Sequence, residues 1–543
     1  MPRLPVPLAV KSWKSVSQQY YAWILNPRAT GDRFPVVKIE SNKPGFLIKS
    51  YLHEPPPANS DCEALAALAP VIGAKLVGLD PTNLQGVNYV QRCKAWYDPG
   101  LGLYRDRPGD TSPSVSADIY GYWPAILGLI LSAQYPQDAE FKAQFKTSIA
   151  AFNDIANGLG APDKPDYNVL GWNFHLKAPG GRKEPMNRFG NAPSVAWPLM
   201  VGASVTGDRE MLRNARATMN WYVAHPGRYE ISHVMGPLTA ARLNVMPGGG
   251  NLDLDTILSA WFGDGEPSIS SWGVTAGQRF DGVTCDGLDA ARWNKDDFYA
   301  FSMGSLQNPA WLVPVARYDQ RYARAIARYA LHAANSARLL QGEGLDAEYQ
   351  DHAAWKSKWD KRNLLFYEGL RSQSFGETPT SQPYATGDPI VNGWNTGHPP
   401  ISDRTQYLAQ RQEWFSNAAD NLALYMGNSV GFLGGIESST DVPGILQWDC
   451  LATDWFHPAA YPTFLFYNPY DQPKTVTIKL ETPTSLYDTV EGRLLAQNVK
   501  SSYKLHLKPD QSVVLVQVKP GARLKRKNGH LLADGIVVDY RAE

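Results

Sequence analysis

The sequence predicts a mostly helical protein: an (α/α)6-type toroid, or barrel, followed by a small C-terminal antiparallel β-sandwich. Three observations point there. Helix-like segments recur in close pairs joined by short turns. Within a pair, one segment is apolar on all sides and its partner is amphipathic. At Tyr461 the text changes abruptly from helical periodicity to short alternating strands bounded by Asn, Asp, Gly and Pro.

The chain of 543 residues exceeds one typical domain, and three parts are expected. Residues 1–60, rich in Pro, Ser and aromatics with extended stretches at 34–39 and 45–52, form an N-terminal arm with short strands. Residues 61–460 form the toroid, and 461–543 the sandwich. Asp61 is a natural N-cap for the first helix. The periodicity predicts helices over 63–78, 84–97, 119–134, 137–157, 192–206, 208–224, 252–262, 298–316, 319–340, 346–359, 404–425 and 443–456. The stretch around Leu306–Val315 is nearly all apolar, as an inner helix buried on both sides must be. Its partner carries Arg321, Arg324, Arg328 and Arg338 on one side and Ala, Ile and Leu on the other, the pattern of an outer, solvent-facing helix. Inner and outer helices alternating around a ring make the toroid. From Pro462 onward the strands alternate too quickly for any helix.

Composition narrows the function. Lys+Arg and Asp+Glu both number 52, so the chain has no electrostatic reason to seek nucleic acid. No segment has the length of a membrane span, and Met1–Val10 lacks the apolar run of a secretory signal. The expected location is secreted or periplasmic if a signal has been removed, otherwise cytoplasmic. Cys62, Cys93, Cys285 and Cys450 have neither metal-site nor redox-motif spacing; no metal and no cofactor are expected. The 17 Trp and 27 Tyr lie largely beside Gly, Pro, Asn or Asp, where flat rings stack on sugars; filling a large core accounts for them equally well.

The stretch GGIESSTDVPGILQWDCLATDWFHPAAYPTFLFYNPY (434–470), running from the last helix into the sandwich, and the helix pair over 308–340 give the chain a layout that resembles α/α-toroid glycoside hydrolases and polysaccharide lyases with a C-terminal β-sandwich. The resemblance spans most of the chain as architecture and is not specific to one family. It implies a carbohydrate partner and a cleft at one end of the ring; it transfers no residue roles.

Candidate residues come from the loops. The longest, 263–297, sets Asp286 and Asp289 among Trp272, Arg292 and Trp293, a combination suited to a general acid with sugar contacts; Asx turns or calcium ligation are the alternatives. Glu368, in FYEGL, follows two aromatics and precedes a glycine, with Arg371 as a possible ion-pair partner. The loop beyond it offers Trp394 and His398 as substrate contacts. Glu437 follows the apolar run VGFLGGI and is a candidate base, close to Asp441, Asp449 and Asp454; Asp441 reads as the N-cap of a helix starting at Val442 or Pro443. Asp118 with Tyr122 and Trp123, and the loop 171–193 with Trp172, His175 and Arg188, read as cleft walls, although helix capping also explains Asp118. There is no Gly-x-Ser-x-Gly elbow, and MPGGGN (246–251) lacks the Lys and Ser/Thr of a phosphate loop.

The expected activity is hydrolysis of a poly- or oligosaccharide by carboxylate acid/base catalysis with inversion. The alternatives are a polysaccharide lyase using His175, His233, Tyr367 and Arg292, and a glycan-binding protein without turnover. Nothing in the sequence fixes the sugar, the linkage or the oligomeric state.

Overall fold

The computed structural model describes all residues except 40–44, 53–62, 107–115, 118–120, 170, 181–190, 229–230, 232, 264–271, 281–282, 293–297, 351, 372–384, 387–421 and 543. The chain opens with helix α1 (Trp13–Ile24), continues into α2 (Ala64–Leu76) and, after a short helical turn at Tyr89–Cys93, into α3 (Trp123–Gln134) and α4 (Ala139–Gly158). Next come α5 (Asn191–Thr206), α6 (Arg209–Ala224), α7 (Gly236–Val245), α8 (Leu254–Phe262), α9 (Ser302–Leu312), α10 (Ala323–Ser336) and α11 (Val430–Ile436).

Among the described residues, α2, α3, α5, α7, α9 and α11 form a closed ring in which each packs on the next and α11 returns to α2. Their burial explains their composition: α9 is buried at every position and α2 from Ala64 to Ala74, so neither needs a polar face. Helices α1, α4, α6, α8 and α10 lie outside them. In α6 the buried positions Met211, Asn214, Ala215, Thr218, Met219 and Tyr222 follow the spacing of a single helical stripe. Asp138 and Asp208 start α4 and α6 by accepting the second and third amides of each helix at 2.8–3.1 Å, caps worth about 1 kcal/mol apiece.

Inner helices turn into their outer partners through short links such as 135–138 and 207–208, so the inner helices run in one direction. After each outer helix the chain therefore comes back to the end where the next inner helix begins. The ring is closed by the start of the chain. Helix α1 occupies the outer position beside α11, with the Tyr21 hydroxyl donating to the Asn428 carbonyl at 2.8 Å and accepting the Gly431 amide at 2.6 Å. At this seam a Cβ on Gly431 would lie 2.5 Å from the Gly73 Cα, so α2 and α11 meet backbone to backbone.

The axis of the ring is filled. Trp311 of α9 touches Trp123, Trp197 and Trp455 at centroid distances of 6.0, 5.4 and 5.0 Å. The tryptophan content thus goes largely into core: Trp13, Trp197, Trp261, Trp311 and Trp448 are fully buried.

Between α8 and α9 the chain forms part of a five-stranded antiparallel sheet, built from β1 (Trp272–Val274), β2 (Asp289–Arg292), β3 (Phe298–Phe301), β4 (Gly369–Arg371) and β5 (Ala385–Thr386) in the order β5-β4-β3-β2-β1. The C-terminal part holds β6 (Glu437–Ser439), β7 (Leu446–Asp449), β8 (Thr463–Tyr467), β9 (Lys474–Lys479), β10 (Thr484–Asp488), β11 (Arg493–Val499), β12 (Ser502–Leu507), β13 (Ser512–Val518), β14 (Leu524–Lys527), β15 (His530–Ala533) and β16 (Ile536–Asp539). A six-stranded sheet in the order β6-β7-β8-β13-β10-β11 faces the pair β9-β12 over a core that includes Phe466, Ile478, Leu486 and Leu515. Strands β14–β16 form a separate sheet.

Three expectations are corrected. Residues 1–60 contain, besides the paired strands Val37–Ile39 and Phe46–Ile48, the helix α1. The helix expected over 443–456 is instead β7 followed by turns, because Gly444 adopts φ +76° and Leu446 and Trp448 turn inward as strand residues do. Helix α10 faces solvent only near its first turn: it packs on β8 and β13 of the sandwich, and Arg324 and Arg328 pair with Asp510 there at 3.2 and 2.7 Å.

Candidate active site

The end of the ring where the inner helices begin gathers polar residues from every part of the chain. Tyr122 immediately precedes α3, Asn191 is the first residue of α5, His233 lies just ahead of α7, and Ser302 opens α9. All four are buried. Glu368 joins them because β4 pairs with β3 directly before α9: the Ser302 amide donates to the Glu368 carbonyl at 3.0 Å.

The Glu368 carboxylate is 2 % exposed, and its Oε1 accepts two phenolic hydroxyls, Tyr51 at 2.9 Å and Tyr425 at 2.7 Å. The two rings meet edge to face at 5.4 Å. Both tyrosines are placed by one backbone seam, in which Tyr51 pairs with Ala423, Tyr367 pairs with Leu422, and the Ser50 carbonyl accepts the amides of Leu424 and Tyr425. Gly369 is required beside the carboxylate, since a Cβ there would fall 2.2 Å from the Ala300 carbonyl. A carboxylate held by two donated hydroxyls is fixed in orientation and presented as a proton acceptor.

Of the other candidate carboxylates, Asp289 packs near the start of α9, the end of the ring that holds Glu368, and the rest are placed differently. Asp286 sits against the outer helix α10: its side chain accepts the Gly277 amide at 2.5 Å and lies 3.6 Å from the His332 ring, whose other nitrogen contacts the Pro2 carbonyl at 2.8 Å. Burial pushes the His332 pKa down, against the pull of Asp286. Asp289 is 1 % exposed and packs over Gly304 of α9; neither carboxyl oxygen has a hydrogen-bond partner among the described residues. Burial pushes its pKa up to about 7, opposed by the charge of Arg228 and the amide of Asn308. It belongs to the wall between β2 and α9.

Glu437 follows the last residue of α11, at the end of the ring opposite Glu368. It accepts the Trp13 amide at 3.2 Å and so caps the first turn of α1; burial raises its pKa to about 7. Asp441 starts no helix, and its carboxylate takes the amide and hydroxyl of Thr477. Asp449 accepts the amides of Leu451 and Ala452, an Asx turn. Asp454 is fully buried and paired with Arg317 at 3.0 Å, Arg242 at 3.4 Å and the Tyr318 hydroxyl at 2.6 Å.

Among the aromatic candidates, Tyr122 and Trp123 stand at the head of α3, Trp123 turned into the axial cluster. Trp172 lies over Gly158 of α4 and Trp272 packs edge-on against Phe301 at 5.3 Å, both buried. His175 is exposed on the turn after the strand Gly171–Asn173. Arg292 ends β2. Asp118, Arg188, Trp293, Trp394 and His398 lie outside the described residues. The sequence reading missed Tyr51 and Tyr425, which lie 317 and 57 residues from Glu368; no local pattern links them.

The fold is thus that of an α/α toroid carrying a C-terminal β-sandwich. No family model matches the chain, and no curated protein does. Among solved structures it is similar to a GH127 beta-arabinofuranosidase (TM-score 0.34, 11% identity, 96% of this chain and 79% of that one). It is also similar to Ara127N-Se, a GH127 beta-L-arabinofuranosidase from Geobacillus stearothermophilus T6 (TM-score 0.32, 11% identity, 98% and 81%). A third is described as a glycoside hydrolase (TM-score 0.34, 8% identity, 87% and 76%).

Proposed function

We propose that the protein is a glycoside hydrolase whose chemistry centres on Glu368 at the mouth of the ring. The observation that carries this reading is a buried carboxylate oriented by two tyrosine hydroxyls, at the end of a toroid where the inner-helix N-termini converge. That end carries the positive poles of the inner-helix dipoles, which favour a carboxylate. Held as an acceptor, Glu368 takes a proton from water as the water attacks the anomeric carbon. A second carboxyl, about 6.5–9.5 Å away across the sugar, protonates the departing oxygen, and the product inverts.

The test is a glycan panel read at once for new reducing ends and for absorbance near about 235 nm, where the unsaturated product of base-catalysed elimination absorbs. New reducing ends without absorbance, lost at least about 100-fold in Glu368→Gln with the fold intact, are the expected result. Rising absorbance would make the protein a lyase, and full activity in Glu368→Gln would remove the carboxylate from the chemistry. Proton NMR of the first-formed anomer checks inversion.

A further inference from the structure

The residues ahead of α1 form a strap laid along the outer helix α10. Pro2, Pro5 and Pro7 have no amide to donate, so the strap is held by few bonds. The Asn335 side chain grips its far end, accepting the Ala9 amide at 2.7 Å and donating to the Pro7 carbonyl at 3.2 Å. Arg3 pairs with Asp471 of the sandwich in an exposed contact. The near end rests on His332, whose Nε2 lies 2.8 Å from the Pro2 carbonyl.

His332 is buried and stands between two acceptors. A carbonyl can only accept, so Nε2 carries the proton of the neutral ring. Nδ1 then presents a lone pair to the Asp286 carboxylate at 3.6 Å, beyond hydrogen-bond distance. A proton on Nδ1 turns this repulsion into a charge-assisted bond, which closes to roughly 2.8 Å. The two ring nitrogens point in divergent directions, so a ring drawn to Asp286 moves away from Pro2. Asp286 does not come to meet it. Its side chain accepts the Gly277 amide at 2.5 Å, and its own amide donates to the Ser336 hydroxyl at 3.2 Å. The sparsely bonded strap is the side that yields.

We propose that His332 is a pH-operated latch for the strap: the neutral ring holds the Pro2 carbonyl, and the protonated ring turns to Asp286 and lets the strap go. Burial holds the ring's pKa below its ordinary 6.5, against the pull of Asp286 and of the Pro2 bond and with the push of the Met1 α-amino group and Arg328. Arg328 is itself paired with Asp510 at 2.7 Å. Once the strap lifts, water reaches the ring and the α-amino group departs, so the pKa returns toward 6.5. The docking contributed by the neutral ring is therefore fully present above about pH 6.5 and is lost progressively as the pH falls toward the lowered value. The latch uses no group of the Glu368 centre and stands or falls apart from the proposed hydrolysis.

The experiment is electron paramagnetic resonance of a nitroxide on Val6→Cys, a position 74 % exposed, in a Cys62→Ser background, scanned from about pH 7.5 to about pH 5. Cys93, Cys285 and Cys450 are buried and take no label. The ratio of mobile to immobile label is expected to rise as the pH falls, by up to about tenfold per pH unit, the limit for a release linked to one proton. Far-UV circular dichroism should stay constant meanwhile. His332→Gln keeps an N–H for the Pro2 carbonyl and does not titrate, so its label should stay immobile throughout. Asp286→Asn removes the charge that draws the ring, and its loosening should move to lower pH; this variant decides the matter should His332→Gln fail to fold. A parent spectrum that does not change with pH, a change that coincides with loss of helical signal, or a parent-like response in either variant would overturn the proposal.

Discussion

Asp289 offers a quantitative test of how the wall of the ring is built. Its carboxyl lies between β2 and α9, and a Cβ on Gly304 would fall within 2.0 Å of Oδ2. Burial moves its ionisation from 3.8 to about 7, and Arg228 only partly offsets that. A displacement of this size corresponds to roughly 4 kcal/mol between the two protonation states. The sign follows from a folded pKa raised above the unfolded one. The stability contributed by the neutral carboxyl is fully present below about pH 3.8, is lost as the pH rises, and is gone above about pH 7. Asp289→Asn keeps the shape and removes the titration. Urea midpoints for parent and variant should therefore nearly coincide at pH 4, with the variant gaining through pH 7 and levelling above it at up to about 4 kcal/mol. Glu437 titrates in the same window, but it is common to both proteins and cancels. A difference between the two proteins that does not change with pH would show that Asp289 is already neutralised by a partner.

Two other changes probe the frame. Asp454→Ala leaves Arg242 and Arg317 buried without their carboxylate and should cost about 3–5 kcal/mol in urea unfolding; replacement at no cost would mean the arginines reach solvent. Gly431→Ala puts a methyl 2.5 Å from the Gly73 Cα and should lower stability by about 1–3 kcal/mol, read as a lower thermal midpoint. An unchanged midpoint would mean that the seam yields freely.

The sequence made the ring legible wherever an apolar segment and an amphipathic one stood side by side. The pair α5 and α6 was readable to within a residue or two, with Asp208 announcing the second helix. Helix α1 was masked by the prolines before it, although Trp13, Val16, Tyr20 and Ile24 already trace one face at helical spacing. Helix α7, with Pro237 in its first turn, was too short and too evenly composed to stand out between two loops. In the site, Glu368 was suggested by its aromatic and glycine neighbours. Its tyrosine partners were not, because Tyr51 and Tyr425 are joined to it by tertiary pairing. Asp286 meets an outer helix and Glu437 a helix N-terminus, placements that a carboxylate in a Gly-rich loop does not announce in sequence.

The closure of the ring by its own N-terminal helix also shapes how the protein is made. Trp13 and Tyr21 leave the ribosome long before their partners Glu437 and Asn428, which lie 424 and 407 residues downstream. Contacts so distant in sequence slow folding, and vectorial synthesis compounds the delay. Until α11 emerges, the inner helices described ahead of it stand as an open arc with α1 unmatched at one edge, an apolar surface left uncovered. Completion of the ring is then one late event that joins both ends of the helical body at once, and truncated chains ending before α11 become natural clients for chaperones.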